Sequence, residues 1–117
     1  MFQANRAHRR YPIFARGKFA IPHEIDPVVI IAQVKNISEA GLGAYTAEPV
    51  RSGSEISMNI EFFNTEGKKE KDTLEGKIVW SSKHDNMYNM GISFNEELNP
   101  ARQPDLHRHF HMVIKHD

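Results

Sequence analysis

The strictest constraint on how this chain folds is the stretch from residue 54 to 63. There Ile56, Met58, Ile60 and Phe62 alternate with Glu55, Ser57, Asn59 and Glu61. A period of two belongs to a strand with one buried and one wet face, and no helix presents that pattern. The pattern recurs. Leu74, Gly76, Ile78 and Trp80 alternate with Thr73, Glu75 and Lys77, and Tyr88, Met90, Ile92 and Phe94 alternate with Asn89, Gly91 and Ser93. The polar stretch from Asn64 to Asp72, containing Gly67, reads as the hairpin loop between the first two of these strands, and Ser81 to Met87 as the next loop. Earlier, Ile13, Ala15, Gly17, Phe19 and Ile21 share one face opposite Phe14, Arg16 and Lys18. Val28 to Val34 is an apolar, β-branched run, and Leu42 to Thr46 follows a corner at Gly41. Six strands joined by turns predict an all-β, mainly antiparallel barrel or sandwich. Only the end changes period: after Pro100 and Pro104, Leu106, Phe110 and Val113 fall at i, i+4 and i+7, which predicts a C-terminal helix over about 104–115.

At 117 residues the chain suits one domain with one core. Its 15 basic and 15 acidic residues cancel, so the molecule as a whole does not attract nucleic acid. The charge is unevenly placed, however. Arg6, Arg9, Arg10, Arg16 and Lys18 precede the first acid, Glu24, which predicts a flexible basic arm over 1–10 and a barrel with its helix over 11–117. No cysteine is present, excluding disulfides, thiolate zinc sites and a cysteine nucleophile. The N-terminus has no signal-like apolar run, and Val28 to Ala32, the longest apolar stretch, is too short to cross a bilayer. A cytoplasmic protein with no membrane insertion is expected.

Two short segments carry chemistry. Arg6 to Arg10 reads R-x-x-x-R, and Asn36 to Gly41 reads N-x-S-x-x-G at the mouth of an apolar strand. Short polar groups and a glycine make a tight exposed corner. Planar cations facing such a shelf suit a ligand with both phosphates and purine edges. On their own, Asn36 and Ser38 also fit a turn that merely caps the corner.

Taken in order, Arg6 to Arg10, then Asn36, Ser38 and Gly41, then Gly76 to Trp80 and Met90 to Phe94, resemble the PilZ domain, the bacterial receptor module for cyclic di-GMP. The resemblance runs from about Arg6 to Ile114. It implies a six-stranded barrel with a C-terminal helix and a cyclic di-GMP site built from Arg6, Arg9, Arg10, Asn36, Ser38, Gly41 and Trp80. Arginine's planar fork matches guanine N7 and O6, lies flat on a purine face and binds phosphate oxygens. Asn36 stands where aspartate is commoner, an accepted variant with one negative charge fewer. Trp80 fits either a place beside a guanine or a place in the core. The implied mechanism has the arm, self-repelling when empty, order over the barrel on nucleotide binding and change the surface that a downstream protein reads. The alternative is a PilZ-like interaction module that does not bind nucleotide. A barrel for single-stranded nucleic acid would need a basic groove with interleaved aromatics, which these strands lack, so no DNA or RNA partner is expected.

Other clusters are discounted. His107 and His111 share a helical face, but two imidazoles do not complete a zinc site, so the three histidines at 107, 109 and 111 read as a solvated face and no metal or cofactor is expected. Ser38 has no histidine at a triad spacing, Asp26, Glu55, Glu61 and Asp72 are scattered, and no Gly-rich phosphate loop of the Walker type is present. Lys68 to Lys71 reads as a solvated hairpin tip. No enzymatic activity is expected.

Overall fold

Alternating side chains become a closed ring of strands in the computed structural model, which describes residues 9–20 and 29–115. The strands are β1 (Tyr11–Ala20), β2 (Val29–Ile37), β3 (Gly41–Thr46), β4 (Glu55–Phe63), β5 (Lys69–His84) and β6 (Met87–Phe94), followed by helix α1 (Pro104–Lys115). They close in the order β1-β2-β3-β6-β5-β4, every neighbouring pair antiparallel. Closure leaves no sheet edge among these strands for another chain to pair with. The expected all-β barrel with a C-terminal helix is therefore the fold.

The inward residues of each strand fill the ring. Phe19, Ile30, Val34, Leu42, Met58, Ile60, Phe62, Ile78 and Met90 are all but inaccessible. Each such side chain contributes about 1.5–3 kcal/mol by leaving water. Helix α1 closes one end with Leu106 and Phe110, both buried, and Tyr11 meets the Phe110 ring edge-on at 5.6 Å. Its first turn is tied down from the sheet: the Leu106 amide donates to Asp72 Oδ2 at 2.7 Å. Burial outweighs that bond and holds the Asp72 carboxyl above the usual carboxylate range.

Four details differ from the sequence reading. The loop read as Asn64 to Asp72 is a turn over 64–68. Asn64 Oδ1 accepts the Glu66 and Lys68 amides at 2.8 and 3.0 Å, and Gly67 takes a φ of 80°. Lys69–Lys71 already pair with Glu61–Phe63; their charged side chains hid the strand from any apolar alternation. The loop read as Ser81 to Met87 shrinks to Asp85 and Asn86, with Asp85 in the left-handed region at φ 57°. Third, Trp80 does not share the inward face of Leu74, Gly76 and Ile78. The register slips between Ile78 and Trp80, a β-bulge that turns the indole outward to 47% exposure. Finally, His109 is not part of a solvated face: it is buried against Phe62, ring centroids 5.2 Å apart.

Candidate functional site

A single row of paired residues crosses five strands of the barrel. Pro12 in β1 pairs with Asn36 in β2, Asn36 with Gly43 in β3, Gly43 with Gly91 in β6, and Gly91 with Trp80 in β5. Leu42, Ala44, Met90 and Ile92, the sequence neighbours of the two glycines, point into the core. By alternation Gly43 and Gly91 therefore face outward. They form a backbone floor with no side chains of its own, covered by Asn36 and Arg10 at one end and by the Trp80 indole at the other, so that both glycines are buried.

The first wall is held by one oxygen. Asn36 Oδ1 accepts Arg10 Nη1 at 2.8 Å and the Gly43 amide at 3.1 Å. Two donors on the same atom orient the amide and leave Nδ2 for an acceptor. A register slip between Val34 and Asn36 produces this arrangement, because it places Lys35 beside Asn36 as an extra residue. Lys35 is exposed and donates to Asn89 Oδ1 at 3.1 Å, with its ammonium 6.0 Å from the Tyr45 ring centre. The second wall depends on the lack of a side chain at Gly91, where a Cβ would collide with the Trp80 indole nitrogen. At Gly43 a Cβ would lie 2.9 Å from Asn36 Oδ1 and 3.4 Å from Arg10 Nη1. Both glycines keep the floor low enough for its walls to lean across it.

The remaining expected residues fall into place unevenly. Arg9 is exposed, its guanidinium 5.3 Å from the Tyr11 ring centre, beside Arg10 at the start of β1. Ser38 is only 2% exposed and is used by the corner itself: its hydroxyl donates to the Gly41 carbonyl and accepts the Ala40 amide, both at 3.3 Å, while its own amide donates to the Gly41 carbonyl at 2.8 Å. Gly41 is close-packed in the barrel wall, where a Cβ would run into the Ile92 carbonyl oxygen. Arg6 lies outside the described residues. Sequence reading missed Gly43, Gly91 and Lys35. The only trace of the two glycines was their outward position in otherwise alternating strands, and the bulge at Lys35 left none.

The row is a flat shelf. Cavities of about 210 to 540 Å³ lie beside α1 and along the outer faces of β1, β4 and β5, and one of about 400 Å³ reaches Pro12 and Lys35 at the β1 end of the row. Among the described residues no group of three or more histidine or acidic side chains is placed to hold a metal ion. No helix there is long and apolar enough to cross a membrane.

The fold that carries this row is a six-stranded antiparallel β-barrel capped by a helix. The family model described as PilZ domain matches residues 4–110, and the chain belongs to that cyclic di-GMP-binding family of receptor and adaptor modules. Among solved structures, the fold is similar to that of Bacillus subtilis Inhibitor of motility (MotI/DgrA). The TM-score is 0.65 at 13% identity, covering 92% of this chain and 51% of that one. It is also similar to the PilZ domain of YcgR from Escherichia coli, a structure with c-di-GMP, at TM-score 0.58 and 17% identity, covering 92% of each chain. This chain thus spans about half of the Bacillus protein. No curated protein matches it.

Proposed function

We propose that the chain is a cytoplasmic cyclic di-GMP receptor without catalysis of its own, and that the Asn36–Gly43–Gly91–Trp80 row is where the nucleotide lies. The observation that carries this reading is the pair of glycines that lets a guanidinium–amide pair and a half-exposed indole lie down on the barrel surface. A purine is flat and can stack on the open face of the indole that Gly91 lets lie against the barrel. Stacking on an aromatic contributes about 1–3 kcal/mol per base. The Arg10 fork presents two parallel donors to guanine N7 and O6 or to a phosphate. Asn36 Nδ2 adds a donor at fixed height, and Lys35 adds positive charge beside the shelf for the phosphodiesters. Ser38 and Gly41 act one step back, by setting the corner that carries Asn36.

A shelf has one wall too few for tight binding, and the arm supplies it. Arg6 and Arg9 close over the ligand from the side opposite the barrel. Ordering the arm costs about 1–2 kcal/mol per fixed residue, which two phosphates and two guanines offset. The folded arm alters shape and charge at the mouth of β1, and a downstream protein reads the change.

Calorimetry tests the reading. Cyclic di-GMP is expected to bind with a micromolar or tighter dissociation constant, about −8 kcal/mol or better, and GMP far more weakly. Arg10→Ala is expected to lose roughly 1.5–3 kcal/mol, the scale of a charged hydrogen bond, at an unchanged thermal midpoint. Absence of heat at about 100 μM nucleotide would favour the interaction module that does not bind nucleotide.

A further inference from the structure

Helix α1 carries a second constellation, on the side away from its buried face. His107 and His111 are one helical turn apart, and their Nε2 atoms approach to 3.1 Å, with ring centroids 4.3 Å apart. Two imidazole nitrogens this close cannot both present bare lone pairs to each other. They share either a proton or a cation. His111 is exposed and His107 partly so, on the rim of an open cavity of about 540 Å³ formed with Pro100, Pro104, Arg108 and Met112.

We infer that His107 and His111 form a chelating site for an imidazole-preferring divalent transition ion, with Cu²⁺ and Zn²⁺ the best-suited ions. With metal–nitrogen bonds of about 2.0–2.1 Å, a 3.1 Å bite gives an angle of about 100° at the metal, between the octahedral and tetrahedral values. The i, i+4 spacing on a formed helix already brings the two nitrogens to this separation, so little backbone ordering opposes binding. The neighbouring cation is already engaged: Arg108 donates to Asp105 at 2.7 Å and to Glu70 at 3.3 Å. Met112, exposed on the same rim, offers a soft thioether. Two imidazoles leave the other coordination positions to water or to a side chain of a bound partner, so the site is open rather than a sealed structural zinc. The sequence reading discounted the pair because it counted ligands; the distance between them is what changes the assignment.

The test is titration of the full chain with Cu²⁺, Zn²⁺ and Mg²⁺ at pH 7.5 in competition with a fluorescent chelator, alongside His107→Ala, His111→Ala, His111→Gln and His84→Ala. Seven histidines give a background of weak sites, so the reading concerns one tightest equivalent. That equivalent is expected for Cu²⁺ and Zn²⁺ and absent for Mg²⁺. It should weaken at least tenfold in each variant at 107 or 111 and persist in His84→Ala. Acidification below about pH 6.5 should release it, because protons compete for the same nitrogens. Both His111 variants are exposed-site changes, and a metal-free thermal midpoint matching the wild type certifies that they fold. Equal affinity and stoichiometry in the wild type and the 107 and 111 variants would overturn the inference.

Discussion

At the scale of single residues, three glycines in this barrel do three different jobs, and the atoms they meet tell them apart. At Gly41 an added methyl group strikes the Ile92 carbonyl, which belongs to the backbone of a paired strand and has nowhere to go. At Gly91 it strikes the Trp80 indole, a side chain on the surface that swings aside. At Gly43 it presses on the Asn36 amide and Arg10. Overpacking against an immovable neighbour costs about 1–3 kcal/mol, so Gly41→Ala is expected to lower the thermal midpoint clearly. Gly91→Ala should leave it nearly intact but weaken cyclic di-GMP binding by about tenfold, about 1.4 kcal/mol, because the indole no longer lies along the floor. Thermal unfolding and calorimetry on the pair settle the assignment; the reverse order of effects would mean that Gly91 is structural and the floor is not a binding surface. Ser38 belongs with Gly41 in this division, since its hydroxyl is spent within the corner.

Among the elements, α1 carries the most chemistry that its pattern alone did not reveal. Its spacing of Leu106 and Phe110 announces a buried stripe, and both residues are buried. His109 looks polar in the sequence yet sits on the same buried side, because it packs on Phe62. Its Nδ1 finds no partner among the described residues. Burial therefore holds the His109 imidazole below its ordinary pKa of 6.5, against the opposite pull of Glu70. The folded state prefers the neutral ring. Stability from this preference is complete above pH 6.5 and is lost as pH falls through the lowered folded value. Burial and His111 shift His107 in the same direction. In chelator-containing buffer, the thermal midpoint is expected to fall as pH drops below about 6.5. His109→Leu should flatten much of that slope and leave a residue from His107. An identical slope in the variant would show that His109 is not held neutral. The hairpins taught a similar lesson: β5 begins at Lys69, where charged side chains on both faces mask a strand that cross-strand pairing with β4 nevertheless holds.

For the whole molecule, the strand count, the barrel and the terminal helix were legible, because burial imposes a period of two on every strand and closure leaves few ways to arrange six of them. The corner motif was legible as a segment. The site as a surface was not, because it is made across strands: Asn36, Gly43, Gly91 and Trp80 become neighbours only through the register of β2, β3, β6 and β5. Trp80 shows the limit most clearly, since alternation left it between the core and a place beside a guanine, and a bulge turned it out. That displacement also provides the most direct measurement of the central claim. Trp80 is the only tryptophan in the chain, so intrinsic fluorescence near 350 nm, typical of exposed indole, reports on one wall of the shelf alone. Stacked guanine is expected to quench it on titration with cyclic di-GMP, with the same midpoint that calorimetry gives, and Arg10→Ala should shift both curves together. Calorimetric binding with an unchanged tryptophan signal would contradict the account, because the nucleotide would then lie somewhere other than beside Trp80.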